Sequence, residues 1–365
     1  MSLQSLQIRN FKSIVNMQIN DIPNFSVFAG TNGSGKSNIF EALEFIKDVI
    51  GSGVSHATKK HNGFENIHSH KLKGDNAKKF KAILVFKIND NNYTYEMEIK
   101  QWNKNPLLFE TIVKNGDELA KRTLKTFIVL GKEQEISYSP DETILKLVSI
   151  EAEELLAFVS CIERYQIDPN RAREADDYFE DDTLNPFASN LTTVLSKIEK
   201  DKFIAEDITE LMQMIVPGLE KISIEKERLN NKSVVTFKEK GTRKKFPAGL
   251  ISDGTIYALA MLVIVYSNKN GIIMIEEPER GLNPKAIAEL VNIFREKSQS
   301  FNIFINTHSE SIVRVSTPEE LYIVDKHDGK TVVKNVKKTF PNYNYKTMDT
   351  DKMWMSNLFD GGLPW

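Results

Sequence analysis

The chain has 365 residues, 41% hydrophobic and 27% charged, so it is long enough and apolar enough to bury a sizeable core. Its 48 basic residues nearly balance 50 acidic ones, and the formal net charge of −2 argues against a globally basic nucleic-acid binder. The single cysteine, Cys161, excludes an internal disulfide and a multi-cysteine zinc site, and we expect a cytoplasmic chain with no membrane partner because neither a signal peptide nor an apolar run of roughly 18 residues is present.

The first half of the chain predicts strands and one helix around a glycine-rich turn. Residues 3–11 alternate loosely between apolar and polar side chains, which indicates a half-buried strand. A second strand over 25–29 runs into the glycine-rich turn, and a helix with one apolar face follows. Residues 51–81 combine glycines, four histidines and many lysines and predict a loop. Short strands with turn signals over 82–150 predict an antiparallel β-rich insertion.

The second half predicts a regular alternation of helices and strands. An acidic, irregular stretch reaching to about residue 186 precedes most of these elements. In chain order we predict helices over 151–163, 187–200 and 203–215, strands near 220–226 and 233–238, a helix over 253–266, a strand over 272–275, a helix over 284–297, and strands over 302–306 and 320–325. Because helices separate apolar strands, we expect a parallel sheet covered on both faces.

The glycine-rich turn fits the pattern G-x-x-x-x-G-K-[ST] between a strand and a helix, which predicts a phosphate cradle. The residues that we expect to bind the phosphates are Gly30, Thr31, Asn32, Gly33, Ser34, Gly35, Lys36, Ser37 and the adjoining Asn38. Glycines let consecutive N–H groups point at phosphate oxygens, and the helix adds its positive dipole end. Lys36 supplies a charge for the β- and γ-phosphates, and Ser37 supplies a hydroxyl for Mg²⁺. We therefore expect the cofactors ATP and Mg²⁺.

A second part of the site is predicted at the ends of two later strands. The apolar strand before residue 276 ends in Glu276 and Glu277, so one carboxylate can hold Mg²⁺ and the next can act as a general base. Glu276 stands where such strands usually carry Asp, and its arm is one methylene longer. His308 follows the next apolar strand and can donate a hydrogen bond to a γ-phosphate. Charged strand ends are common by themselves, but the phosphate cradle favours a catalytic interpretation.

A short segment before a nearly continuous apolar helix has a simpler local interpretation. Ser252 or Asp253 can cap that helix by the ordinary rule, and Gly254 leaves room for a close backbone approach. Nothing in the local pattern requires more than capping.

In this order the motifs resemble the ABC-type ATPase heads of SMC-like and RecF-like proteins. More narrowly, the chain resembles stand-alone AAA-family ATPases with an LSDGT-like signature and an EEPE Walker B motif, and OLD-like heads without a Toprim domain. Weaker similarities lie in residues 8–14, 166–170, 189–195 and 358–365. The resemblance implies an α/β P-loop NTPase fold, namely an ABC-type ATPase head with a β-rich insertion and a helical lobe.

The resemblance also implies roles for matching residues. Glu276 would be the Walker B acid that binds the metal, Glu277 the catalytic base and His308 the switch histidine. Residues 252–254 would be the signature, which contacts the γ-phosphate held by a second protomer. A homodimer would then sandwich two ATP molecules, with higher oligomers open, and hydrolysis would open the dimer.

Some positions depart from the family pattern. Residues 279–283 match the D-loop, but Asn283 stands where such families often have His or Asp. The Q-loop glutamine has two candidates, Gln134 and Gln166.

The predicted domain organisation has four parts. A nucleotide-binding core combines residues 1–50 with 250–340, and residues 51–150 form the β-rich insertion with its basic loop. A helical signature lobe covers 151–249, and a C-terminal tail covers 341–365.

Two charged stretches have competing interpretations. The loop with His56, His61, His68 and His70 lacks a recognisable metal-ligand spacing. Its lysines could contact the phosphates of DNA or form a solvated surface; they are Lys59, Lys60, Lys71, Lys73, Lys78, Lys79 and Lys81. The carboxylates of residues 163–182 favour a solvated or partner-facing loop over a nuclease centre. We expect no Toprim nuclease, because few residues follow the strand over 321–325.

Three functions remain open at this level. The first is a sensor or regulatory ATPase of a bacterial anti-phage defence system that controls a separate effector, such as a nuclease or toxin. The alternative is a DNA-associated ATPase for repair or genome maintenance, with DNA contacting the Lys59–Lys81 loop. The third is an assembly scaffold ordered by ATP.

Overall fold

The computed structural model describes residues 1–73, 78–102, 105–124, 126–135, 139, 141–174, 182–226, 232–345 and 349–359. The strands are β1 (Ser2–Phe11), β2 (Ile14–Asn20), β3 (Phe25–Ala29), β4 (Lys79–Ile88), β5 (Asn91–Trp102), β6 (Asn105–Lys114), β7 (Asp117–Arg122), β8 (Thr126–Val129), β9 (Lys132–Glu135), β10 (Ile162–Tyr165), β11 (Leu219–Lys226), β12 (Ser233–Glu239), β13 (Phe246–Pro247), β14 (Ile272–Glu276), β15 (Asn302–Thr307), β16 (Leu321–His327) and β17 (Lys330–Asn335). The α-helices are α1 (Lys36–Ser52), α2 (Val54–Lys60), α3 (Glu153–Ser160), α4 (Pro169–Ala172), α5 (Leu191–Ile198), α6 (Lys202–Ile215), α7 (Asp253–Ser267), α8 (Pro284–Lys297), α9 (Glu310–Val315), α10 (Val336–Thr339) and α11 (Thr350–Met355).

A six-stranded sheet in the order β10-β14-β15-β3-β16-β17 organises the molecule. Its first five strands are parallel, as the alternation of helices and apolar strands predicts, and β17 is antiparallel to β16. The register pairs Glu276 with Asn306 and Asn306 with Phe28. The carboxyl ends of β14, β15 and β3 therefore lie side by side at one edge.

Two hydrophobic cores lie on opposite faces of this sheet. Along β14, Ile273 and Ile275 belong to one core, whereas Ile272 and Met274 belong to the other. This period of two is the side-chain alternation of any strand, and both faces are apolar because helices cover both. Helix α7 is buried along nearly its whole length in the first core, and α1 packs in the second.

The second sheet has eight strands in the order β2-β1-β4-β5-β6-β7-β8-β9. Its pairs are antiparallel, as predicted, but β4 pairs directly with β1, with Ile8 opposite Ala82. The strands that we expected as an insertion thus continue the sheet of the N-terminal strands. A third, three-stranded sheet has the order β11-β12-β13. The division of the chain into four domains stays a prediction.

Several local expectations need correction. The predicted loop over 51–81 contains α2 and a short 3-10 turn over Phe64–Asn66, because Val54, Ala57 and Phe64 are buried despite the polar composition. The predicted helix over 151–163 ends at Ser160, since Ile162 starts β10 beside β14.

The predicted helix over 187–200 begins only at Leu191. None of the helices in the described ranges has the length and apolar character that crossing a bilayer requires.

Candidate nucleotide site

The predicted phosphate cradle is a tight turn between β3 and α1. Gly33 and Gly35 have φ angles of 78° and 104°, which residues with side chains rarely adopt. A Cβ at Gly35 would also lie 2.0 Å from the Oγ1 of Thr331. Gly35 is the N-cap of α1 and offers no side chain to the first amides of the helix. The helix therefore presents its positive end to an anion.

Residues from distant strands brace this turn from behind. The Oγ1 of Thr331 donates to the backbone oxygen of Ser34 at 3.0 Å and lies 2.6 Å from the Oγ of Ser13. The amide Nδ2 of Asn38 donates to the same Ser13 Oγ at 2.5 Å. Asn38 thus contacts the support of the cradle, and its predicted contact with the cofactor stays a prediction. Sequence patterns alone did not identify Ser13 or Thr331 as supports, because the contacts join segments far apart in the chain.

Lys36 lies folded over its own turn. Its Nζ donates to the backbone oxygens of Gly30 and Thr31 at 2.8 and 2.9 Å. Burial lowers the pKa of Lys36, and the carboxylates that follow β14 oppose this effect. The ammonium is thus held inside the cradle by neutral acceptors, which phosphate oxygens can replace.

The two predicted metal ligands come together across the sheet. The Oγ of Ser37 donates to the Oε2 of Glu276 at 3.4 Å, although the residues are 239 positions apart. Hydroxyl and carboxylate oxygens are the ligands that Mg²⁺ prefers. The Oγ of Ser34 is buried in the same turn and has no hydrogen-bond partner in the described part of the chain. These residues therefore fit a magnesium ion carried by nucleotide phosphates.

Arg164 is a member of the site that the sequence did not indicate. It lies on β10, opposite Met274 of β14, and its Nε and Nη2 are both 2.5 Å from the Oε1 of Glu276. Glu44 and Glu41 of α1 lie 3.3 and 3.6 Å from the guanidinium. Burial opposes the charge on Arg164, but these carboxylates outweigh it and raise its pKa. The predicted helix over 151–163 includes the first two residues of this four-residue strand, so the sequence pattern did not predict the strand.

Glu277 and His308, the predicted base and switch histidine, face one another. Glu277 has a φ of 47°, and its N–H donates to the backbone oxygen of Asn306 at 3.0 Å and to the Oδ1 of that residue at 3.3 Å. The Nδ1 of His308 lies 3.5 Å from the Oε1 of Glu277. Asn306, at the end of β15, therefore helps to fix the sharp turn that presents the carboxylate.

Glu279 forms a buried support beneath His308. Its Oε1 accepts from the Oγ1 of Thr307 at 2.7 Å and from the N–H of His308 at 3.4 Å. Burial raises the pKa of Glu279, and the hydrogen bond from Thr307 opposes this shift. The Oε2 of Glu279 has no partner among the residues described.

The predicted signature segment lies at the start of α7 and contacts Gly281, in the segment that we predicted as the D-loop. Ser252 caps the helix, accepting from the N–H of Thr255 at 3.3 Å, as the capping rule predicts. A Cβ at Gly254 would lie 2.1 Å from the backbone oxygen of Gly281, so only glycine permits this approach. Arg173 donates to the backbone oxygen of Ile251 at 2.8 Å and pairs with Asp253.

A cleft joins these elements and distinguishes the two Q-loop candidates. Gln166, directly after β10, lines a cleft together with Asp253, Glu276 and Glu277. Gln134 lies instead in β9, at the far edge of the antiparallel sheet. The geometry therefore favours Gln166. Asn283, the other departure from the family pattern, caps α8 by accepting from the N–H of Ala286 at 3.0 Å.

The remaining charged clusters are dispersed. Within the described ranges, no group of three or more His, Cys, Asp or Glu side chains could hold a metal ion. His61 pairs with Asp48 at 2.9 Å, and His68 pairs with Glu65 at 3.0 Å. Two lysines of the predicted basic loop lie in regular elements: Lys60 ends α2 and pairs with Asp48, and Lys81 lies in β4 and pairs with Glu96. The acidic residues Asp75, Asp176, Asp177, Glu180 and Asp181 and the chain end from residue 360 lie outside the described residues.

Comparison of the sequence with known proteins gives one family and several relatives. The sequence profile of the family described as "AAA domain, putative AbiEii toxin, Type IV TA system" matches residues 25–314. An ATP/GTP phosphatase of Helicobacter pylori is 22% identical over 343 residues, which cover 86% of this chain and 87% of that protein.

Two shorter matches involve proteins named for DNA processes. The DNA double-strand break repair Rad50 ATPase of Methanocaldococcus jannaschii is 33% identical over 93 residues, covering 26% of this chain and 8% of that protein. The DNA replication and repair protein RecF of Lactococcus lactis is 32% identical over 56 residues, which cover 15% of this chain and 16% of that protein. This chain therefore matches only a small part of either relative.

Solved structures resemble the whole fold. An SMC head bound to the C-winged helix domain of ScpA has a TM-score of 0.60 at 14% identity, covering 93% of this chain and all of that one. The SMC head domain from Thermotoga maritima has a TM-score of 0.51 at 16% identity, and the match covers 92% of this chain and 99% of that one. These likenesses, together with the family match, confirm the predicted α/β P-loop fold.

Replacing Lys36 with alanine should weaken ATP binding roughly ten- to a hundredfold, because hydrogen bonds to charged groups contribute about 1.5–3 kcal/mol. Titration with a fluorescent ATP analogue measures this loss, with Lys202→Ala as an exposed-lysine control. Undiminished affinity in Lys36→Ala would mean that the phosphates bind elsewhere.

Replacing Glu279 with glutamine should flatten the pH dependence of stability. Because the pKa of Glu279 is raised in the folded chain, protonation of this residue stabilises the fold. The stabilisation is complete at pH values below the ordinary pKa of 4.5, and it is lost as the pH rises through the folded-state pKa. Glu279→Gln lacks that loss. As the pH rises, the free energy of unfolding of the variant should therefore increase relative to that of the native sequence. The full change is about 1.4 kcal/mol for each tenfold difference in the proton affinity of Glu279 between the folded and the unfolded chain. Urea unfolding across pH measures this, with exposed Glu206→Gln as the control. A difference that is constant with pH would contradict the assignment.

Proposed function

We propose that this chain is a Mg²⁺-dependent switch that dimerises around ATP and acts on DNA. The chain belongs to the family described as "AAA domain, putative AbiEii toxin, Type IV TA system". It is an ATPase of the SMC, RecF and Rad50 type. One observation carries the proposal. Ser37 from the cradle and Glu276 from β14 approach within 3.4 Å, and Glu277 and His308 stand beside them within 3.5 Å of one another.

The proposed hydrolysis uses these residues in turn. Lys36 exchanges its backbone acceptors for β- and γ-phosphate oxygens, and the amides of the cradle bind the same phosphates. Ser37 and Glu276 would hold Mg²⁺, which when bound neutralises charge on the phosphates. Glu277 accepts a proton from the water that attacks the γ-phosphorus, while the bond to the ADP oxygen breaks. His308 donates to the γ-phosphate, and the support from Glu279 keeps it in place.

The proposed dimer explains the surface position of the signature segment. Asp253 is the first residue of α7, and its side chain is 71% exposed. The close contact between Gly254 and Gly281 couples this helix end to the turn that follows Glu277. We propose that Ser252, Asp253 and Gly254 face the γ-phosphate held by a second copy, where the helix dipole favours an anion. Each copy would thus complete the other's site.

DNA is the proposed substrate of the switch because two relatives are named for DNA repair and replication. In the Lys59–Lys81 segment, Lys60 and Lys81 have carboxylate partners, whereas Lys59, next to Lys60, is exposed. The proposed DNA contact would therefore use only part of this basic loop.

A second candidate is a regulatory ATPase of an anti-phage defence system. The family description names a putative toxin of a type IV toxin–antitoxin system, which supports a link to such systems. Among the described residues, no group of three or more His, Cys, Asp or Glu side chains could hold a metal ion. Under this candidate, a separate nuclease or toxin would supply the damaging chemistry.

Replacing Glu277 with glutamine should trap an ATP-dependent dimer, since the variant keeps the phosphate ligands but loses the proton acceptor. Light scattering coupled to size exclusion in saturating Mg-ATP should report twice the chain mass, and the monomer mass without nucleotide. Adding Ser252→Arg to this variant should prevent dimerisation, because a bulky side chain would occupy the proposed interface. A strictly monomeric Glu277→Gln in Mg-ATP would contradict the sandwich.

Duplex DNA should stimulate ATP turnover severalfold if DNA is the substrate, and the stimulation should fall steeply with salt. Turnover of the purified chain with and without DNA measures this, with Glu277→Gln as the blank. Turnover that is indifferent to DNA would contradict the DNA role and favour control by a separate partner.

A further inference from the structure

Arg164 lies at the point where the Walker B acid meets helix α1. Its side chain is only 13% exposed, and two of its nitrogens share the Oε1 of Glu276 at 2.5 Å. The distances to Glu44 and Glu41 are longer, at 3.3 and 3.6 Å. Glu276 is therefore the principal partner of this arginine.

The surrounding charges support the same assignment. Glu41 has its own partner in Lys12, and Glu44 lies 3.6 Å from Lys60. Among the described residues no lysine forms an ion pair with the carboxylate of Glu276, and the neutral hydroxyl of Ser37 donates to its other oxygen. Arg164 is thus the cation that directly pairs with the partly buried carboxylate of Glu276. Since a partly buried charge is costly without a partner, this pair fixes where the carboxylate lies.

The two oxygens of Glu276 have different surroundings. Oε1 is bound by Arg164, whereas Oε2 faces the Oγ of Ser37 at 3.4 Å. A glutamate has one more rotatable bond than the aspartate usual at this position, so its carboxylate needs a further restraint to stay beside the hydroxyl. The contact with Arg164 supplies that restraint.

We propose that Arg164 is a positioning residue for the metal: it binds one oxygen of Glu276 and thereby aims the other at the place where Ser37 and the nucleotide phosphates would hold Mg²⁺. This inference rests on the proposed function. Partners that orient a metal ligand commonly change metal affinity by roughly 10–100-fold when they are removed, although they never touch the metal.

The test separates nucleotide binding from metal binding, with Mn²⁺ as the probe. The affinity for a fluorescent, non-hydrolysable ATP analogue is measured in EDTA and in Mn²⁺, and bound Mn²⁺ is counted by electron paramagnetic resonance. Arg164→Met should bind the analogue in EDTA within about twofold of the native chain, but should lose roughly 10–100-fold of the Mn²⁺ affinity. Glu44→Gln, which removes a more distant partner of Arg164, is the matched control and should keep the Mn²⁺ affinity of the native chain.

A double variant distinguishes positioning from a merely structural contact. In a Glu276→Gln background, Arg164→Met should cause no further loss of Mn²⁺ affinity, because its effect passes through the carboxylate. An equal loss in both backgrounds, or full Mn²⁺ affinity in Arg164→Met, would overturn the inference. Where Arg164→Met does not fold, Arg164→Lys keeps the charge without the paired contact, and an intermediate loss is expected; undiminished affinity would count against the inference. If Mn²⁺ does not change the nucleotide affinity of the native chain, that result contradicts the proposed magnesium-dependent function itself.

Discussion

The pairing of β15 between β3 and β14 is the constraint on which the rest of the site depends. Parallel strands bring their carboxyl ends to one edge, and here that edge carries the cradle after β3, the acids after β14 and His308 after β15. The register sets Glu276, Asn306 and Phe28 in one row, so residues 239 positions apart in sequence meet. The side chains of β14 pack into a hydrophobic core on each face of the sheet, so a slip by one residue would disrupt the close packing on both faces.

The second determinant is the arrangement of charge within this edge. Three carboxylates lie at or just after the end of β14, at Glu276, Glu277 and Glu279, and each is restrained in a different way. Glu276 pairs with Arg164, Glu277 stays partly exposed beside His308, and Glu279 is largely shielded from solvent, which raises its pKa. These environments suit different tasks: a metal ligand needs a fixed charge, a general base needs access to water, and a support needs neither.

Much of the fold and site could be predicted from local sequence patterns. The cradle, the acidic strand end, the cap of α7 and most central strands depend on short-range rules, and those predicted elements are present in the structure. The four-residue strand β10 was too short to show a period, and the buried face of α2 was concealed by its polar composition. Ser13, Thr331, Asn306 and Arg164 act only through partners far along the chain. Their types are ordinary, so no spacing indicates them before the sheet order is known.

In the proposed dimer, one chain supplies the cradle and the metal ligands, and a second copy supplies the signature. A structure of Glu277→Gln with Mg-ATP would test this arrangement. We expect two chains related by a two-fold axis, with each γ-phosphate contacting Lys36 of one copy and Ser252 of the other. A nucleotide bound by a single chain, with Ser252 facing solvent, would contradict it.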